Sequence, residues 1–278
     1  MDIFVIEHRC VQPAFGLAAS GLESTQGLYR YNRAMDVDTA ARLIEINREF
    51  YTLFGGPFSA TRHRIQPGVR RVLDMLEGIE SILDLGCGNG EMARELARRG
   101  HRGPYLGVDF SLPLLNEAEF PLEGFSARFL QADLTQLSAL SSQIATPGGW
   151  SVITAFAALH HIPTDEARLN LLRTVRGLLR EDGTFILSNW QFLNSEKLKA
   201  RIQDWSRVGL SQQDVDPGDF LLDWRNGGEG LRYVHHFSEE ELSALAEAAG
   251  FIIREMFYSD GEGGDLGLYQ LWEVDTTC

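Results

Sequence analysis

From Asp38 the apolar residues fall at helical spacing: Leu43, Ile46, Phe50 and then Leu53 or Phe54. With Asp38 as a cap and Gly55 and Gly56 as a stop, this predicts a helix that packs its apolar face over something. A second helix is expected over 69–76. Beyond Ser81 the period changes, and short apolar runs alternate with helical stretches, the pattern of βαβ units that build a largely parallel sheet. Strands are expected at 81–85, 104–108, 127–130, 151–156, 183–188, 251–257 and 266–273. The stretch 91–99 reads as an amphipathic helix stopped by Gly100. A later helix starts at Ser238, which with Glu241 has the form of a capping box, and ends at Gly250. The last two strands are joined by the polar, glycine-rich 259–265, short enough for a hairpin and so for an antiparallel edge.

Two segments break this rhythm. Residues 1–37 show no sustained period and read as an N-terminal extension, leaving 38–278 as the domain proper. Residues 189–236 are the longest interruption of the α/β alternation and are rich in Trp, Arg, Asp and Gly. An insertion of this size above the carboxyl edge of a sheet is expected to be a substrate lid.

The chemistry is concentrated at strand ends. An apolar run ends in Asp84, and Leu85-Gly86-Cys87-Gly88-Asn89-Gly90 follows directly, opening the 91–99 helix. Glycines at that turn allow close backbone approach and positive φ, and the amides of the following helix favour an anionic group. A dinucleotide loop wants glycine at the sixth place, where this chain has Glu91. One strand later Tyr105-Leu106-Gly107-Val108 ends in Asp109, placed to accept hydrogen bonds from ribose hydroxyls, and the next strand ends in Asp133. All three carboxylates are expected at the crevice along the carboxyl edge of the sheet.

Composition narrows the context. The 278 residues are 44% hydrophobic and 23% charged, which excludes a disordered or fibrous chain. No apolar run approaches the roughly 20 residues that cross a bilayer, and the start has no basic leader, so a cytoplasmic location is expected. Three cysteines lack paired or metal-ligand spacing, and the adjacent His160 and His161 lack a third ligand, so no metal site is expected. A formal net charge of −14 opposes nonspecific binding to nucleic acid.

With the glycine loop and the strand-end acids, the chain resembles the class I S-adenosylmethionine-dependent methyltransferases over roughly residues 38–273. The resemblance implies a Rossmann-like seven-stranded sheet, mostly parallel with its last strand antiparallel and flanked by helices, and S-adenosyl-L-methionine as cofactor. It places Asp84 and Gly86 by the methionine moiety, Asp109 on the ribose and Asp133 with Leu134 at the adenine, with Gly88 and Phe110 also at the cofactor. Phe156 and Ala157 then face the methyl sulfonium. Tyr51, with Phe54 and Phe58, either closes over the cofactor or fills the core, and Arg62 either holds the cofactor's carboxylate or meets the acceptor.

Three further segments are similar to the tRNA wobble-uridine methyltransferases that esterify a carboxymethyl group. They are Phe58-Ser59-Ala60-Thr61-Arg62 with Pro67 beyond, Trp190-Gln191, and Gly218-Asp219-Phe220-Leu221-Leu222-Asp223-Trp224 followed by Arg232-Tyr233-Val234-His235-His236-Phe237. Gln66 stands where that family usually has tryptophan, and Asp223 where it usually has proline. By this resemblance the acceptor is a carboxylate on tRNA and a small activator subunit is a possible partner. A carboxylate is already ionised near neutral pH and needs only orientation, which a guanidinium supplies with two parallel hydrogen bonds. Arg62, Arg64, Arg225 and Arg232 are the candidates. A hydroxyl acceptor would instead need a base, for which His160 or His161 is the candidate. A small-molecule O-methyltransferase and a non-catalytic cofactor-binding module stay open as alternatives.

Overall fold

A computed structural model describes residues 35–60, 64–118 and 124–276. The helix α1 spans Val37–Ser59, and α2 spans Pro67–Leu73. The βα units then run β1 (Ile82–Leu85), α3 (Glu91–Arg98), β2 (Tyr105–Asp109), α4 (Leu112–Ala118), β3 (Ala127–Gln131), α5 (Leu137–Ile144), β4 (Trp150–Phe156), α6 (Asp165–Leu178) and β5 (Leu179–Trp190). After α7 (Glu196–Lys199) come β6 (Ile202–Gln203), β7 (Asp219–Trp224) and β8 (Gly230–His235), and the chain finishes with α8 (Glu239–Ala249), β9 (Phe251–Ser259) and β10 (Gly267–Val274).

Seven strands form one sheet in the order β3-β2-β1-β4-β5-β10-β9. The neighbours from β3 to β5 are parallel, whereas β10 is antiparallel to both β5 and β9. The last strand is therefore antiparallel as expected, but it is not the edge: the hairpin inserts β10 beside β5 and leaves β9 outside. The central strands are apolar runs because both faces are covered. Leu83, Val108, Ile153 and Leu187 have no exposed surface, and full burial of each stabilises the fold by about 1.5–3 kcal/mol.

Residues 189–236, apart from the end of β5, fold into their own antiparallel sheet β6-β7-β8. Helix α1 lies against β8, so this small sheet and the N-terminal helix roof the carboxyl ends of the large one.

The boundaries of α1 differ from the sequence reading. Its cap is Asp36, whose side chain accepts from the Thr39 amide, and the helix runs through Gly55, Gly56 and Pro57 to Ser59. Tertiary contact overrides the local stop signal: Gly55 is packed so close to α4 that a Cβ there would lie 3.2 Å from Pro113 Cβ. Helix α2 starts two residues early, at Pro67, and Ser238 caps α8 as expected by accepting from the Glu241 amide. The other half of that capping box is not made, because the Glu241 carboxylate turns toward His235.

Candidate functional site

The tips of β1, β2, β4 and β5 open into one cavity of ≈ 490 Å³, within the range of small-molecule sites. The register explains the convergence. Asp84 on β1 lies level with Gly107 on β2 and Thr154 on β4, so the three strands end together.

The glycine loop is shaped by close packing. Gly86 has φ 78°, and a Cβ on it would stand 2.8 Å from Ala158 Cβ, while a Cβ on Gly88 would meet nothing within 4 Å. The glycine and cysteine amides of the loop are taken up within the protein. Those of Gly86 and Cys87 donate to the Val108 carbonyl, that of Gly88 to Asp109 Oδ2, and that of Gly90 to the Cys87 carbonyl. The loop is thus pinned to β2, and its glycines supply space rather than donors.

Asp84 is buried, with one oxygen accepting from Tyr105 Oη at 2.6 Å and the other from Thr154 Oγ1 at 2.8 Å. Burial pushes its carboxyl above the usual range against those two hydrogen bonds. Asp109 accepts from the Gly88 and Ser111 amides at 2.9 and 2.8 Å, which leaves a lone pair on each oxygen, and burial raises it to about 6. At Asp133 burial acts upward too, but hydrogen bonds from Thr135 and Arg48 outweigh it and hold the carboxyl below its ordinary value. Cys87 lies between Asp84 and Asp109, and burial with their two charges keeps its thiol neutral.

The cavity collects most of the residues singled out above. Tyr51, Phe58, Asp84, Gly86, Gly88, Asp109, Phe110, Asp133, Leu134, Phe156, Ala157, His160, His161, Arg64 and Arg232 all line it. Arg62 lies outside the described residues. Arg225 is not brought to the cavity: it is exposed and pairs with Asp223 at 2.6 Å on the outer side of the insertion. Phe54 is absent from the wall too, because its ring packs on Phe50 and beneath Gly228 and Gly230.

Around Arg232 the cavity wall changes character. The Arg232 guanidinium is buried among four aromatic rings, with its carbon 4.8 Å from the centroid of Trp190 and 5.5, 5.8 and 5.9 Å from those of Phe50, Trp224 and Phe58. Such faces stabilise a cation that has left water. The two histidines are held in distinct states. His160 Nδ1 accepts from the Trp190 amide at 3.4 Å, which leaves its proton on Nε2 as a donor. His161 Nδ1 donates to the Tyr233 carbonyl at 3.0 Å, so Nε2 accepts from Tyr51 Oη at 2.9 Å. Ala157 adopts a left-handed φ of 53°, tying its amide to Ser188 where β4 meets the cavity.

Several lining residues carry no signal in a single sequence. Asn47 holds the Tyr233 amide with its side-chain oxygen, and Asn189 is a buried amide at the tip of β5. Only for Asn47 and Arg48 is there a trace, since they precede Tyr51 by a helical turn on the same face of α1. Asp260 and Gly267, from the β9–β10 hairpin, reach the cavity only because β10 inserts beside β5. Among the described residues no cluster of His, Cys, Asp and Glu could hold a metal ion, and no helix is long and apolar enough to cross a membrane.

This geometry fits an adenosyl sulfonium: open space at Gly88, buried acids at two strand tips, and aromatic rings from α1. Residues 58–255 match the family model described as a methyltransferase domain. A protein of Encephalitozoon cuniculi named as a methyltransferase is 29% identical over 204 residues, which are 73% of this chain and 85% of that one. The Macaca fascicularis tRNA (carboxymethyluridine(34)-5-O)-methyltransferase ALKBH8 is 27% identical over 160 residues, 56% of this chain but only 22% of that longer protein. Among solved structures, the complex between the Haloferax volcanii Trm112 methyltransferase activator and its methyltransferase has a TM-score of 0.59 at 14% identity, covering 83% of this chain and 98% of the other. The chain belongs to the methyltransferase domain family and is a class I enzyme that uses S-adenosyl-L-methionine as cofactor.

Proposed function

We propose that the protein methylates a carboxylate oxygen, with Arg232 as the residue that orients the acceptor. The buried Arg232, which lines the same cavity as the glycine loop, is the observation that carries this reading. A guanidinium stays charged at any working pH, and in a dry aromatic setting a planar carboxylate matches its donors. When bound, S-adenosylmethionine supplies an electrophilic methyl group on a sulfonium. An ionised carboxylate acceptor would take that methyl group without any proton having to be moved by the protein. That suits a cavity in which His160 Nδ1 and His161 Nε2 both already accept hydrogen bonds. Residues 189–236 act as the cover of the acceptor side, supplying Trp190 and Arg232.

Of possible carriers, the motif resemblance and the likeness to ALKBH8 support the carboxymethyl group of a tRNA wobble uridine. The net charge of −14 supports a free small acid instead. A small activator subunit, such as the Haloferax neighbour has, belongs to the tRNA version and is checked by co-purification. With isotope-labelled cofactor, a methyl ester is recognised because mild alkali releases the label. Base-labile label in tRNA, with affinity that falls steeply with salt, supports the uridine; base-labile label only in small acids supports the other carrier. Label that survives alkali, on any acceptor, overturns carboxylate chemistry.

Within the same reading, Asp109 takes the ribose hydroxyls and does so ionised. Its raised pKa means that the protonated form stabilises the free protein, an effect fully present below the ordinary 3.8 and lost as pH rises through about 6. Ligand binding has the opposite preference. Calorimetry with S-adenosylhomocysteine is expected to show affinity falling by about tenfold per unit as pH drops below about 6; constant affinity between pH 5 and 7.5 would remove Asp109 from the ribose.

A further inference from the structure

Beneath the insertion lies a group of buried charges that methyl transfer does not use. Arg168 on α6 has almost no exposed surface, and its Nη2 donates to Tyr233 Oη at 3.1 Å and stands 3.7 Å from Asp219 Oδ1. Asp219, at the start of β7, accepts at Oδ1 from Tyr233 Oη at 2.8 Å and from His235 Nδ1 at 2.7 Å, and at Oδ2 from the Asp216 amide. His235, at the end of β8, points its other nitrogen at Glu241 Oε1 of α8, 2.8 Å away. Arg168 Nη1 lies 3.6 Å from the same Glu241 oxygen and 2.8 Å from Asp165, and its guanidinium carbon sits 5.0 Å from the Phe237 centroid.

Both ring nitrogens of His235 therefore face carboxylate oxygens. An ionised carboxylate only accepts, and a neutral imidazole has one N–H, so this pairing is complete only when the ring carries two protons. Two cations, Arg168 and His235, then balance Asp219 and Glu241. Deprotonating His235 would leave a buried excess of negative charge between elements of the catalytic domain and of the insertion.

The network is joined to the cavity at two places: Arg168 Nε donates to the carbonyl of the cavity-lining Ile162 at 3.0 Å, and Tyr233 makes the second link. Tyr233 has its hydroxyl between Arg168 and Asp219, while its carbonyl accepts from His161 Nδ1 and its amide donates to Asn47. Its neighbour on β8 is Arg232. We propose that His235 is a positioning residue for the acceptor side of the cavity: as an imidazolium clamped between Asp219 and Glu241, it fixes β8 and thereby the places of Arg232 and His161.

The clamp is a pH-dependent one. Burial and the Arg168 charge oppose protonation, but the hydrogen bonds to Asp219 and Glu241 outweigh them and raise His235 above its ordinary 6.5. Its contribution is fully present below that value and is lost as pH rises through the raised value. His236 next to it is lowered by burial and by His235, so it adds no third cation, and the half-buried Asp216 is raised by burial and by the Asp219 charge.

The role in catalysis rests on the carboxylate reading, but the clamp itself is testable without an acceptor. Heteronuclear NMR of the His235 ring is expected to show both nitrogens protonated at pH 7; a neutral ring there overturns the proposal. Hydrogen exchange in the wild type, corrected for intrinsic rates, is expected to quicken about tenfold at 219–235 relative to β1–β4 once pH passes the His235 transition. In His235→Gln it is expected to be fast at every pH, with S-adenosylhomocysteine affinity unchanged. Equal exchange in variant and wild type overturns the proposal. Should His235→Gln fail to fold, Glu241→Gln serves: it removes one carboxylate and is expected to move the transition to lower pH, whereas an unmoved transition counts against the clamp. With 5-carboxymethyluridine as probe acceptor, KM is expected to rise above the same transition while kcat holds, and Glu241→Gln is expected to shift that rise. No turnover at all would fault the carboxylate reading and leave the exchange result standing.

Discussion

Arg232→Met is expected to lower methyl transfer by about two to three orders of magnitude while leaving S-adenosylhomocysteine affinity within about twofold of wild type. Methionine keeps the unbranched apolar stem that packs against Phe50, Trp190 and Trp224, so the wall of the cavity stays filled. What goes is the fork of donors. Losing one partner of a buried, hydrogen-bonded charge pair costs about 2–5 kcal/mol, and about 1.4 kcal/mol corresponds to each factor of ten in rate. Arg232→Lys keeps the charge without the planar fork and should fall between the two. Initial rates with labelled cofactor, set beside calorimetry, separate the effects. If Arg232→Met retains wild-type transfer, the acceptor is held elsewhere; if it loses the cofactor as well, Arg232 belongs to the cofactor half of the cavity.

Asp84→Ala should be the most destabilising single change at the site, by about 3–5 kcal/mol, because it orphans two buried hydroxyls, those of Tyr105 and Thr154, and leaves a void between β1, β2 and β4. Each hydroxyl left without its acceptor costs about 1–3 kcal/mol. Asp84→Asn is the informative control. The amide can still accept from one hydroxyl and donate to the other, since both hydroxyl oxygens also accept, so stability should fall by less than about 1.5 kcal/mol. Cofactor affinity should nonetheless drop, because the negative charge facing a cationic ligand is gone. Urea denaturation of the two variants checks the first claim and calorimetry the second. A fully stable Asp84→Ala would show that the Tyr105 and Thr154 hydroxyls do not depend on Asp84.

The large sheet was readable in the chain because its signals are local. An apolar run, a turn acid and a helix start recur at each βα unit, and the tips at Asp84, Asp109 and Asp133 follow from that alternation without knowledge of neighbours. The same locality misled at α1, where Gly55 and Gly56 read as a stop but continue the helix, because contact with α4 and the ring cluster of Phe50, Phe54 and Phe58 holds them. The small sheet β6-β7-β8 had no readable period, since β6 is only Ile202–Gln203 and the inner stretches of β7 and β8 are buried without alternation. The acceptor wall was only half visible for a related reason. Arg232 and Arg225 look alike in sequence, seven residues apart in the same insertion, yet β8 turns one into a ring cage and the β7–β8 turn leaves the other beside Asp223 in solvent. His235 and Asp219 are distant in sequence, so the charges that bind them together could not be inferred before the strands were paired.

On this reading the pinned glycine loop opens onto the cofactor's place in the cavity, and calorimetric titration of S-adenosylhomocysteine into the wild type and Gly86→Val is the decisive test. A β-branched side chain is strained at φ 78° and would be driven against Ala158 on the cavity wall. The wild type should bind one ligand per chain, and the folded variant should release no binding heat at concentrations that saturate the wild type. Equal isotherms from the two proteins, with circular dichroism showing both folded, would contradict the claim.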